Sequence, residues 1–210
     1  MEGIDGSGKT TQTELFAEWL KQDTGFERLS VTREPGGWRS GESVRELILG
    51  GNLSGVWSEF FAFMLDRCEH VARVIAPELA KGGCVICDRY MPSTLAYQIF
   101  SNPDIPGETA EYMLRLPGVI GLPEPDCVCL LDVTPATARR RLSSRGKTDS
   151  FDARGEDFFS RVRNGYDKVM SLSRGVGIKI DASKNKSEVF SDLTARFSDA
   201  FLRRGESGHA

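Results

Sequence analysis

Eight residues near the amino end constrain this chain most: Gly3 to Thr10 read G-I-D-G-S-G-K-T and lead straight into a helical pattern that begins at Lys9. The spacing is that of a phosphate-binding P-loop, G-x-x-x-x-G-K-[ST]. Glycines let backbone N–H groups converge on phosphate oxygens without Cβ clashes. The following helix adds unpaired donors and the positive end of its dipole. In this reading Gly3, Ile4, Asp5, Gly6, Ser7, Gly8, Lys9, Thr10 and Thr11 surround ATP, Lys9 spans the β and γ phosphates, and the Thr10 hydroxyl is a ligand for Mg²⁺. Such a loop follows a buried strand, yet only Met1 and Glu2 precede Gly3. The first strand is thus read as truncated, with an apolar run of about five residues expected upstream of the Glu2–Gly3 step.

The rest of the chain fits that start. Short apolar runs of strand type (Leu29 to Arg33, Cys84 to Asp88, Cys127 to Val133, Val176 to Asp181) alternate with helical patterns over Lys9 to Lys21, Ser58 to Lys81, Thr109 to Leu116, Pro135 to Arg145, Glu156 to Leu172 and Ser187 to Leu202. This order predicts an α/β domain with a mainly parallel central sheet and helices on both faces. The stretches Ser101 to Gly107 and Pro117 to Pro125 read as loops, because their prolines and glycines interrupt continuous helix. With 210 residues and no linker or repeat, the chain reads as one domain over 1–210. The polar segment from Arg145 to Glu156 is either a plain solvated connection, which sequence alone favours, or a mobile lid.

A net charge of -3 excludes the broad cationic field that duplex DNA or an anionic membrane requires, so phosphate binding must be focal. No apolar run reaches the length of a membrane span and no signal-like segment opens the sequence, which reads as cytoplasmic. Five cysteines, an odd count, read as free thiols. Cys84 and Cys87 lie three apart on a strand, where they point to opposite faces and do not share a metal. His70 and His209 lie in no nucleophile or metal pattern.

Further clusters carry chemistry. Thr32 to Gly37, T-R-E-P-G-G, sits at the carboxyl edge of a strand, where ligands bind in open α/β sheets; punctuation and function weigh about equally there. Asp88 closes an apolar strand as the metal-side aspartate of a P-loop enzyme does, and Arg89 beside it can fork onto a second phosphate. Phe60, Phe61 and Phe63 are mostly core, with room for one base stacker. Ser93 to Gln98, S-T-L-A-Y-Q, offers Tyr97 and Gln98 to a base. Arg139, Arg140, Arg141 and Arg145 form a largely solvated helix end from which one or two can reach a nucleotide. No strong general base stands out, which suits a phosphate acceptor that is already a dianion at neutral pH.

Taken together, G-I-D-G-S-G-K-T-T, T-R-E-P-G-G, the D-R at Asp66, D-R-Y-x-x-S-T-x-A-Y-Q from Asp88 and L-D-V-T-P from Leu131 resemble the thymidylate kinase family, in order and across nearly the whole chain. The resemblance implies phosphorylation of dTMP to dTDP by ATP and Mg²⁺ in the supply of dTTP, and a homodimer. It implies catalytic roles for Lys9, Asp88, Arg89 and Arg145, with Mg²⁺ at Thr10 and Asp88. Arg33, Arg45 and Arg89 would face the dTMP phosphate, Asp5 the sugar, and Phe63, Arg67 and Gln98 the base. Tyr97 would crowd the 2′ position, with Ser93 and Thr94 also at the acceptor. The segment about 141–156 would be the lid, with Arg145 supplying charge. Trp38 after the double glycine and Ser150 after Asp149 depart from the pattern. So does the short first strand.

Two other readings compete. A GTPase switch shares the P-loop, but the nearest thing to its guanine code is N-K-S-E at Asn185 to Glu188, which ends in the wrong acid. Another nucleoside-monophosphate kinase would differ only in its base pocket.

Overall fold

The computed structural model describes residues 1–23, 25–143, 151, 154–172 and 175–202. Among the described residues the strands fall on the four apolar runs: β1 (Leu29–Arg33), β2 (Cys84–Asp88), β3 (Cys127–Asp132, one residue shorter than its run) and β4 (Val176–Asp181). β1 pairs with β2 and β3 with β4, both parallel. Met1 and Glu2 join the two pairs. The Met1 ammonium donates to the Cys87 carbonyl at 2.8 Å and the Arg89 N–H to the Met1 carbonyl at 2.9 Å. On the other side the Glu2 N–H donates to Cys129 O, and the Leu131 N–H to Glu2 O, each at 2.8 Å. The order β1, β2, residues 1–2, β3, β4 places the P-loop at the carboxyl edge in the middle of the sheet, where open α/β sheets bind ligands. The outer strand β4 alternates buried and exposed residues, whereas β3 buries four in a row, as an inner strand covered on both faces must.

Helices α1 (Lys9–Asp23), α2 (Gly41–Leu49), α3 (Val56–His70), α4 (Ala76–Ala80), α5 (Met91–Thr94), α6 (Gly107–Val119), α7 (Pro135–Ser143), α8 (Glu156–Leu172) and α9 (Lys186–Phe197) pack in two apolar clusters. α1 buries Gln12, Thr13, Phe16, Ala17 and Leu20, one face at helical spacing. It meets α9 through an edge-on Phe16–Phe197 pair, 5.0 Å between centroids.

Several boundaries differ from the sequence reading. The long pattern from Ser58 to Lys81 is α3, a π segment (Val71–Ile75) and α4 in succession. α6 runs through Pro117 to Val119, beyond the proline that was expected to end it: a proline in the last turn forfeits little, and the Ile120 N–H still reaches Leu116 O at 3.1 Å. The S-T-L-A-Y-Q motif spans the end of α5 and a second π segment, Leu95–Phe100, a wide turn frequent at functional sites. N-K-S-E is a helix cap: Asn185 Oδ1 accepts the Glu188 N–H at 3.0 Å, and Glu188 Oε2 accepts the Asn185 N–H at 3.1 Å. This capping box stabilises the start of α9 by about 1 kcal/mol and leaves no guanine code.

Candidate active site

The P-loop opens onto a cleft of about 690 Å³. Asp5, Gly6, Gly8, Lys9 and Thr10 line it, while Ile4 is buried in the core, Ser7 is buried behind the loop and Thr11 is half-buried in the first turn of α1. Gly3 and Gly6 have φ of 142° and 80°, and a Cβ on either would stand 2.5 Å from a backbone oxygen, of Leu131 and Ala138 respectively. The loop therefore packs backbone to backbone against β3 and α7. The Lys9 ammonium donates to the carbonyls of Gly3 at 2.9 Å and Ile4 at 3.0 Å. Burial, and then the Arg89 charge, push its pKa down to about 8 against the pull of Asp5, Asp88 and Glu2.

The Thr10 hydroxyl donates to Asp88 Oδ2 at 3.1 Å. Asp88 Oδ1 is buried without a hydrogen-bond partner among the described residues. A hydroxyl and a carboxylate with a spare oxygen, next to a phosphate cradle, are the oxygen donors that Mg²⁺ takes.

Arg89 is the only non-glycine residue with positive φ, 72°, among those described. That backbone turns its guanidinium back under the P-loop. It pairs with Asp5 at 2.5 Å and donates to Gly3 O at 3.0 Å, Ser93 Oγ at 3.0 Å and the Tyr166 hydroxyl at 3.2 Å. Its guanidinium also lies 5.1 Å from the centroid of the Tyr97 ring. Burial opposes the Arg89 charge, but Asp5 and its other neighbours outweigh burial and hold the proton on. Burial would likewise raise the Asp5 carboxyl; Arg89, Lys9 and the Tyr97 hydroxyl, which donates at 2.8 Å, bring it down to about 2. Below them Glu2, fully buried, accepts from Ser93 at 2.5 Å, Tyr166 at 3.1 Å and the Tyr90 N–H at 2.8 Å.

T-R-E-P-G-G forms a shaped wall of the same cleft. Arg33 and Arg45 line it, the first paired with Glu42 at 3.6 Å, the second donating to Pro35 O at 2.9 Å. The Glu34–Pro35 peptide is cis. Trp38 has a structural role: its indole N–H donates to Asp66 Oδ1 at 2.8 Å, and the same oxygen accepts the Gly36 N–H at 3.0 Å, so Trp38 pins the loop to α3. Behind the turn, Glu34, His70 and Cys87 bring ligand-type atoms within 4.8 Å of one another. Each already has a protein partner: His70 holds Glu34 at 2.9 Å and Thr32 at 2.7 Å, Cys87 donates to Arg89 O at 2.9 Å, and Arg67 pairs with Glu34 at 2.7 Å. The cluster is a brace for the loop, and His70, left without a role by the sequence, is its centre.

At the far end of the cleft stand Phe63, Ser93, Thr94, Tyr97 and Gln98. Arg67, 1% exposed, lies behind that wall and donates to Thr94 Oγ1 at 3.0 Å. Phe151 reaches this end: its ring is 6.0 Å from Phe63 and 6.1 Å from Tyr97, and the Arg154 guanidinium stacks on it at 4.3 Å. Arg154 also pairs with Glu59 on α3. Residues 144–150 and 152–153, including Arg145 and Ser150, lie outside the described residues.

Sequence reasoning brought together Lys9, Thr10, Asp88, Arg89, Arg33, Arg45, Phe63, Tyr97 and Gln98, and the cleft contains them all. It missed Glu2, Glu59, Phe151 and Tyr166, and took Arg154 only as a second choice for the lid charge. Tyr166 was legible only as one buried position on α8, which Gly165 brings so close to Leu95–Phe100 that a Cβ there would meet Ala96 O at 3.1 Å. No helix among the described residues is long and apolar enough to cross a membrane.

Comparison with known proteins gives the family. The family model described as thymidylate kinase matches residues 1–193. The chain is 38% identical over 200 residues to a probable thymidylate kinase of Pyrococcus abyssi, covering 93% of this chain and 92% of that one. It is 37% identical over 209 residues to a thymidylate kinase of Pelotomaculum thermopropionicum, covering 96% and 94%. A thymidylate kinase of Wolbachia pipientis wMel is 36% identical over 168 residues, 80% and 82% of the two chains. Matched over residues 1–193 and at 36–38% identity to relatives covered along most of their length, the chain belongs to the thymidylate kinase family.

Proposed function

We propose that this chain transfers the γ-phosphoryl group of ATP to dTMP, giving dTDP for dTTP synthesis, with ATP over the P-loop and dTMP in the cleft between Arg33, Arg45, Arg89 and the Phe63–Gln98 end. The observation that carries this reading is the convergence of Lys9, Arg33, Arg45 and Arg89 on one cleft that ends in aromatic and amide side chains. A phosphoryl transfer between two anions needs positioning and charge neutralisation more than a strong base. Lys9 would bind the β and γ phosphates, and Arg89 the acceptor phosphate that faces them. Thr10 and Asp88 would hold Mg²⁺, which neutralises phosphate charge when bound. Asp5, fixed by Arg89 and Tyr97, would accept from the sugar hydroxyl. Tyr97 would exclude a ribose 2′-hydroxyl. Phe63 would stack on the base, and Thr94, backed by Arg67, would stand at its edge. The lid 141–156, with Arg145, would close over the phosphates.

The reading places the enzyme in the cytoplasm, acting on soluble nucleotides, and gives it a second copy as partner. Trp57, Phe61 and Leu65, spaced by four on α3, form an apolar stripe with Phe61 60% exposed. Such a stripe on a soluble helix is a surface for another subunit.

A substrate panel tests the assignment: kcat/KM for dTMP, dUMP, dCMP, dGMP, dAMP and UMP with ATP and Mg²⁺ in excess. dTMP should lead. dUMP should follow within about 1–3 kcal/mol, since one methyl is worth no more. Equal or better use of dCMP or dGMP would refute the acceptor assignment while leaving phosphoryl transfer intact.

A further inference from the structure

We infer that Glu59 is a positioning residue that fixes which face of the Gln98 amide meets the acceptor base, and so sets the preference for a base with an N–H at ring position 3. The inference rests on reading the Phe63–Tyr97 end of the cleft as the base pocket. Gln98 is completely buried on the cleft wall, in the π segment Leu95–Phe100. Its Nε2 lies 3.3 Å from Glu59 Oε2. A carboxylate only accepts, so the NH₂ group must face Glu59 and the amide oxygen must face away from it. Gln98 Oε1 has no partner among the described residues. A buried acceptor left over on the wall of a ligand cleft calls for a donor from the ligand.

Glu59 is held from both sides. It is buried on α3, and its other oxygen is taken by the Arg154 guanidinium, which comes from the segment that also delivers Phe151. An unrestrained glutamine amide turns over freely and serves a donor or an acceptor equally well. Locked by Glu59, Gln98 presents an acceptor. Thymine and uracil carry an N3–H that meets it. Cytosine carries a bare N3, which sets lone pair against lone pair and leaves two buried acceptors unpaired. Glu59 thus acts on base choice without touching the base.

The test uses the full chain and its Glu59→Gln variant, with kcat/KM measured for dTMP, dUMP and dCMP at fixed ATP and Mg²⁺. Glutamine at 59 keeps the shape but lets the pair turn over together. The dTMP/dCMP ratio should fall about tenfold or more. The dTMP/dUMP ratio should stay as in the wild type, because both bases carry the N3–H. A proportional loss on all three substrates, or an unchanged dTMP/dCMP ratio, overturns the inference. If the single variant does not fold, the exchanged pair Glu59→Gln/Gln98→Glu decides: a carboxylate at 98 offers only acceptors, so a wild-type-like preference for dTMP supports the inference and its loss refutes it. A wild-type enzyme that itself prefers dCMP or a purine refutes the base-pocket reading, and the inference falls with it; that failure is visible before any substitution is made.

Discussion

Raising the pH should weaken ATP capture before it slows phosphoryl transfer, and Lys9 is the reason. Its ammonium is buried among P-loop carbonyls and pushed down to about 8 by burial and by Arg89. In the free enzyme the charged form, the one that binds phosphate, is lost as pH rises through that value. At pH 9 roughly one enzyme in ten keeps the proton, so kcat/KM for ATP should drop about tenfold per pH unit beyond the bend. Bound triphosphate places negative charge on the ammonium and raises its pKa, so kcat at saturating ATP should stay level over the same range. Stability has its own sign. A base whose folded pKa lies below its unfolded value of 10.5 costs stability at low pH, and that cost disappears as pH climbs from 8 to 10.5. ATP offsets the cost, so it should raise Tm more at pH 7 than at pH 9. The assay is ADP release with dTMP saturating and ionic strength fixed, from pH 6.5 to 9.5, where the second ionisation of dTMP near 6 no longer interferes. A flat kcat/KM for ATP up to pH 9.5 would refute the argument. So would the same descending limb in Lys9→Arg, whose guanidinium does not titrate there.

Three further outcomes follow from the site. Asp88→Asn should raise the Mg²⁺ concentration needed for half-maximal rate and lower kcat about 10²-fold or more, because it removes the charge paired with Thr10; an unchanged Mg²⁺ titration would move the metal elsewhere. Arg145→Ala should lower kcat about a hundredfold with little change in KM for dTMP; near-normal kcat would shift the lid charge to Arg141 or Arg154. Phe61→Glu should convert a dimer into monomers, seen as a change of mass in light scattering, since a charge replaces the most exposed aromatic of the α3 stripe; a dimer that survives it is built on another face.

The parts legible in the sequence were those set by local pattern. Four apolar runs became four strands because β-branched and thiol side chains over five or six residues fit a buried parallel sheet. The P-loop and the D-R of β2 were legible because spacing alone brings glycines, lysine and aspartate to the carboxyl edge. α2 was missed because Gly41–Leu49 is only nine residues between glycine-rich turns, too short for its period to stand out. The S-T-L-A-Y-Q motif was read for its side chains, and nothing in M-P-S-T-L-A-Y-Q-I-F announces a π turn. Glu2, Glu59, Arg154 and Tyr166 acquire their roles from partners 39 to 164 residues away. Pairing at that range depends on packing, to which a single sequence has no local signal.

Arg89 ties the P-loop to the opposite wall of the cleft. A left-handed backbone at a bulky residue costs about 1–3 kcal/mol and persists only where surrounding contacts over-determine it. Here those contacts are Asp5 and Gly3 from the P-loop, Ser93 from α5 and Tyr166 from α8. Glu2, tied to both Ser93 and Tyr166, carries the same lattice back to the strand position between β2 and β3. The strain is therefore held by both halves of the cleft. In the proposed reaction, loosening either half would free the guanidinium from its place beside the phosphates. In a reaction whose catalysis is positioning and charge neutralisation, a fixed guanidinium is where the energy would be kept. An arginine whose guanidinium is tied to Asp5, Gly3, Ser93 and Tyr166 would be a stiffer instrument for it than an unstrained residue free to follow solvent.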